Sequence, residues 1–148
     1  MQEFPHHYVV KASAVADSNI LLESPGLESV TSAGPAEFGG PGDLWSPETL
    51  LVAAVADCFI LTFRAIARAS RMEWISLTCD AVGDLDKIDK VTQFTSFRLK
   101  VRLEVPEGIR EGKAEGLLEK AEKHCLITNS MKAGSTLDCE VIVRDVAT

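Results

Sequence analysis

Hydrophobic and polar residues alternate without a break from Phe97 to Val105. Phe97, Leu99, Val101, Leu103 and Val105 fall on one face, Arg98, Lys100, Arg102 and Glu104 on the other. Side chains of a strand point to opposite faces in turn, so this pattern predicts a half-buried strand, stopped by Pro106-Glu107-Gly108. Residues 74–85 repeat the pattern with Ile75, Leu77, Cys79 and Ala81 on one face, and 86–89 reads as the turn that follows. A last strand over 135–143 points Leu137, Cys139, Val141 and Val143 inward. Nearer the N-terminus, 8–16 and 19–23 read as short strands joined through Asp17-Ser18-Asn19, and 29–32 as a third after Pro25-Gly26.

Two segments change to the helical period. Ser46 suits an N-cap, Pro47 the first helical position and Glu48 the first turn of a helix predicted to run to about Ser70. Its sequence, SPETLLVAAVADCFILTFRAIA, is apolar nearly all round as far as Phe63. Arg64, Arg68 and Arg71 gather toward its C-terminal end, where cations suit the helix dipole. A helix apolar on every side is wrapped by protein, in the same chain or in a second copy. Residues 111–124 form an amphipathic pattern with Leu117, Leu118, Ala121 and then Cys125 on one stripe. The stretch GPAEFGGPGDLWS, residues 34–46, is too rich in Gly and Pro to be regular and too long for a simple connector. It suits covering a site or meeting a partner through Phe38 and Trp45. Strands, a long helix, strands, a helix and a strand make an α+β class.

Length and composition narrow the function. The 148 residues, 46% hydrophobic and 25% charged, fit a single domain over 1–148 of an ordinary globular protein. A formal net charge of -7 argues against a nucleic-acid partner, which needs a Lys/Arg-rich face. The opening MQEFPHHYVV lacks the basic-then-apolar pattern of a signal peptide. The most apolar stretch, 50–63, contains Asp57 and is shorter than the roughly 20 residues a bilayer needs. No membrane partner and a cytoplasmic location are therefore expected.

The candidate chemistry lies in four widely spaced cysteines, Cys58, Cys79, Cys125 and Cys139. No CxxC pair or Cys/His cluster points to a metal, and His6 and His7 stand near a chain end. Cys79 and Cys139 alternate with apolar neighbours and read as packing residues. Cys58 shares its helix face with Ala54, Val55, Leu61 and Thr62, which suits a core residue equally well, yet it follows Asp57, an acid that must reach solvent or a cation. Cys125 ends the second helix, where a new turn can expose a thiol and offer it backbone N–H groups. His124 is no ready base for it, because helix neighbours point about 100° apart.

Taken together, SPETLLVAAVADCF, LDKIDKVTQFTSFRLKVRLEV, LLEKAEKHCLITNSMK and the closing strand resemble the OsmC/Ohr family of thiol-dependent organic hydroperoxide reductases. The resemblance covers nearly the whole chain. It implies an OsmC-like fold, with antiparallel sheets around a long buried central helix and a second helix, in an intertwined homodimer. It also implies that Cys58 attacks an organic hydroperoxide and becomes a sulfenic acid, that Cys125 resolves it as a disulfide, and that an external dithiol of the dihydrolipoyl type restores both. The resemblance further implies a reaction without a cofactor or metal. Glu48 falls on the family's carboxylate. About 1.5 Å of rise per residue puts it some 15 Å from Cys58 along one helix, so its thiol would belong to the other subunit. The arginine usual in the family's N-terminal part has no counterpart, since Lys11 is the only Lys or Arg before Arg64 and Glu37 stands near the expected place. That departure keeps a second expectation open, a weak or inactive relative serving as an apolar small-molecule binding module or a redox sensor.

Overall fold

The computed structural model describes residues 1–145, which form two compact units, Met1–Leu51 and the chain from Val52 onward. In the first unit β1 (Lys11–Ser13), β2 (Ile20–Glu23) and β3 (Val30–Ser32) make an antiparallel sheet in chain order. Ser18 closes the first turn by accepting from the Val15 N–H at 3.0 Å. The strand expected over 8–16 shrinks to the three residues, Lys11–Ser13, that pair with β2. The Gly/Pro stretch is folded rather than open. A 3-10 turn over Ala36–Phe38 ends at Gly39, whose φ of 83° suits glycine. A Cβ at Gly40 would collide with the Gly34 carbonyl. Among the described residues of this unit only Ser32, Ala33 and Ser46 are buried, while Tyr8, Val9, Val10, Val15 and Leu27 stand mostly exposed.

The helix α1 (Pro47–Ala69) begins as expected. Ser46 Oγ accepts from the Thr49 N–H at 3.1 Å, and Thr49 Oγ1 accepts from the Ser46 N–H at 2.8 Å, a reciprocal cap on two otherwise orphaned donors. At 23 residues α1 is long and apolar enough to cross a membrane by length and composition, longer than the 50–63 stretch suggested. Its exposed side carries Asp57, Arg64 and Arg68, which hydrocarbon disfavours. Val55, Phe59, Phe63 and Ala67, spaced by four, are fully buried on another side.

The second unit's sheet holds β4 (Ser76–Ile88), β5 (Val91–Pro106) and β6 (Gly134–Arg144) in that order. The expected turn over 86–89 is only Asp89-Lys90, with φ of 49° and 68°, the left-handed pair of a tight two-residue hairpin, so residues 86–88 stay in the strand. The β4–β5 pair is antiparallel, but β6 runs parallel to β5. The connection between them crosses over through α2 (Glu111–His124), which returns the chain in the same direction. The short α3 (Leu126–Asn129) follows α2 directly.

The β5 alternation supplies the core, with Phe97, Leu99, Val101, Leu103 and Val105 all buried. Ala114, Leu118, Ala121 and Cys125 bury the stripe of α2, and Leu117 is only half-buried at its margin. Two expected inward residues are exposed. Ile75 precedes the first residue of β4, and Val143 lies at the far end of β6. Gly83 permits close approach of α1: a Cβ there would lie 2.7 Å from Val52 Cγ2 and 2.8 Å from Phe94 Cε1. Further along, the ring of Phe63 meets Trp74 edge to face, centroids 5.5 Å apart.

Candidate active site

Cys58 sits midway along α1, on the face adjoining the fully buried one. With Ala54, Asp57, Leu61, Thr62 and Ala65, at helical spacing of three and four, it forms one wall of a cavity of about 510 Å³. Leu126 and Ile127 of α3 form the other wall. The thiol itself is buried and reduced. Apart from Asp57, the lining is neutral.

The chain reaches this cavity a second time because α2 stops at Cys125. That residue has φ of −66° and ψ of 109°, outside the helical region, so it serves as the corner between α2 and α3. Its carbonyl accepts from the Asn129 N–H at 3.0 Å and from Thr128 Oγ1 at 3.1 Å, which fixes the corner. The turn that follows presents backbone N–H groups toward Cys58.

The electrostatics separate the four thiols. Burial pushes Cys58 up, but donors outweigh it: the Ile127 N–H, the Cys125 thiol, the Thr62 hydroxyl and the Leu126 N–H together hold it below the usual thiol range. Cys125 moves the opposite way. Its burial raises it, the Thr128 donors oppose, and acting as donor to Cys58 keeps it protonated. The two thiols, 67 residues apart in sequence, are close enough to shift one another's ionisation. Cys79 is pushed up to about 11 by burial, with Asp80 and Cys125 adding to it. Burial likewise raises Cys139, helped by Glu115 and Glu119. Both line one row of the sheet opposite Val101 as half-buried strand residues.

The donors to Cys58 are all neutral, so its lowered state does not depend on the arginine missing from the N-terminal part. Thr62 is the side chain whose role the spacing alone did not reveal. It stands four residues on from Cys58, with Oγ1 3.7 Å from Sγ. Replacing it by valine keeps the shape and removes the hydroxyl. The pH midpoint for iodoacetamide alkylation of Cys58 is then expected to move upward, slowing the reaction several-fold at pH below the midpoint, and Thr62→Ser is expected to restore it. An unmoved midpoint in Thr62→Val would remove this donor from the account.

The remaining candidates lie elsewhere. His124 is exposed at the end of α2. Glu48 is in the first turn of α1, and its Oε2 is buried without a hydrogen-bond partner among the described residues. No group of three or more His, Cys, Asp or Glu among the described residues could hold a metal ion.

The chain is similar to known proteins along most of its length. The OsmC-like protein family profile matches residues 40–140. The uncharacterised YmaD of Bacillus subtilis is 26% identical over 144 residues, covering 94% of this chain and 95% of that protein. The peroxiredoxin OsmC of Escherichia coli is 31% identical over 96 residues, covering 65% and 66%. A crystal structure of an organic hydroperoxide resistance protein OsmC from Legionella pneumophila superposes with a TM-score of 0.70 at 25% identity, over 95% of this chain and 100% of that one. With the profile spanning both the α1 cysteine and the α2 corner, the chain belongs to the OsmC-like family.

Proposed function

We propose that the protein is a thiol peroxidase that reduces organic hydroperoxides. The observation that carries this reading is the contrast between adjacent thiols: of the four cysteines only Cys58 is held below the usual range, and its neighbour Cys125 is held above it. Cys58 reacts as thiolate, the nucleophilic form. Its sulfur takes the terminal oxygen of the hydroperoxide, the O–O bond breaks, and the alkoxide leaves as alcohol after taking up a proton. The resulting sulfenic acid condenses with the Cys125 thiol, forming the disulfide and releasing water. An external dithiol of the dihydrolipoyl type then reduces the disulfide by exchange. The apolar cavity favours an alkyl hydroperoxide over hydrogen peroxide.

The working unit is a homodimer of one OsmC-like domain per chain. Two observations support it. The first unit leaves Tyr8, Val9, Val10, Val15 and Leu27 exposed, and Leu61 on α1 is 52% exposed. Large apolar side chains left exposed in each unit are what a second copy would cover. Glu48, too far along the helix to serve its own Cys58, supports the thiol of a second copy.

Treatment with cumene hydroperoxide followed by peptide mapping tests the reading. A Cys58–Cys125 disulfide within one chain, reversed by dihydrolipoamide, is the expected product. Thiols left fully reduced under excess peroxide would end it and leave the binding module. The nearly apolar cavity favours that second reading, and native mass spectrometry would reveal its ligand.

A further inference from the structure

Asp57 carries the one carboxyl group among the residues lining the Cys58 cavity, and it immediately precedes the reacting thiol. Its side chain is exposed at the cavity wall, and no described residue offers it a hydrogen bond or an ion pair. Arg64, the first cation after it on α1, lies seven residues on and lines no part of the cavity. An unpaired carboxylate in an apolar helix is costly to hold unless it faces water, and here that water is the entrance to the thiol.

We propose that Asp57 is a charge filter on the Cys58 pocket, which admits neutral and cationic alkyl compounds and disfavours those carrying a carboxylate. Applied to the peroxidase reading, on which this use of the filter rests, the substrates are uncharged alkyl hydroperoxides or esters rather than free fatty-acid hydroperoxides. A fixed negative charge a few ångströms from an approaching anion, screened as in bulk water, changes its encounter by about three- to eightfold. Salt weakens such an effect over a Debye length of about 8–10 Å.

Three alkylating agents of similar size and different charge test the filter on the intact protein: neutral iodoacetamide, anionic iodoacetate and cationic 2-bromoethylamine. The rate at Cys58 is followed by mass spectrometry of its peptide, in wild type, Asp57→Asn and the remote hairpin variant Asp86→Asn. Each rate is divided by that of iodoacetamide on the same protein, which cancels the thiolate fraction. In Asp57→Asn the relative iodoacetate rate is expected to rise about three- to eightfold and the relative bromoethylamine rate to fall, with Asp86→Asn matching wild type. High salt is expected to shrink the wild-type preference and leave Asp57→Asn unmoved. Relative rates that stay the same in Asp57→Asn overturn the filter, and so does an equal shift in Asp86→Asn. A second arm compares a carboxylate-bearing alkyl hydroperoxide with its methyl ester. Faster wild-type turnover of the ester, levelled by Asp57→Asn, supports the filter, and equal turnover in wild type overturns it. Should neither be consumed while the alkylation ratios shift, the peroxidase reading fails and the filter stands.

Discussion

Cys58→Ser is expected to lower organic hydroperoxide consumption by roughly three orders of magnitude or more, because the nucleophile is removed rather than slowed. Serine keeps the size and a hydrogen-bonding oxygen, and its hydroxyl does not ionise near neutral pH. The neutral donors at Ile127, Thr62 and Leu126 therefore have no anion to stabilise. Cys125→Ser is expected to behave differently. Cys58 still reacts once, but no thiol traps the sulfenic acid, so excess peroxide carries it to the irreversible sulfinic acid. The two variants are separated by mass spectrometry of the Cys58 peptide: unmodified residue 58 in the first, gain of two oxygens in the second. Steady turnover by Cys58→Ser would transfer the chemistry to another residue. Reversible cycling by Cys125→Ser with a monothiol reductant absent would remove Cys125 from the resolving role.

The largest effect on stability is expected from Phe63→Ala, about 3–5 kcal/mol. Phe63 is fully buried in the second unit, and its edge-to-face contact with Trp74 adds about 0.5–1.5 kcal/mol beyond area. Truncation leaves a cavity that helix and sheet cannot close, since α1 is already held at near contact with β4 by Gly83. Leu61→Ala, two residues away on the same helix, is the comparison. With 52% of Leu61 exposed, its loss costs little in a single copy, and appreciably more if the proposed dimer covers it. Urea unfolding followed at two protein concentrations distinguishes these. A Phe63→Ala cost no greater than that of Leu61→Ala in a monomeric sample would contradict the burial described here.

The residues of the site were legible to different degrees. Cys58 and Cys125 stood out through the family resemblance, and the corner at Cys125 through the end of a helical period. The nearness of the two thiols was not readable, because it depends on α3 lying against the Cys58 side of α1. Thr62 and Asp57 were visible as neighbours of Cys58 in the helix. Spacing could not say that one hydroxyl meets the sulfur and that one carboxylate faces the pocket. The missing N-terminal arginine pointed to a thiol without a stabiliser. Backbone N–H groups, which leave no mark in a sequence, supply one.

By itself the order of residues determined the elements whose signal is local. The alternation of Phe97 to Val105, the boundaries of α2 and the Ser46 cap on α1 each depend on side chains a few positions apart, so periodicity and capping were sufficient. Fold class followed from their order. The three-dimensional arrangement settled everything that depends on distant partners: the parallel placement of β6 beside β5, the extension of β4 to a two-residue turn, the exposure of Ile75 and Val143, and the descent of one thiol below its three fellows. Strand pairing and thiol ionisation are properties of neighbours brought together by the fold, and a linear pattern holds no record of which neighbours those will be.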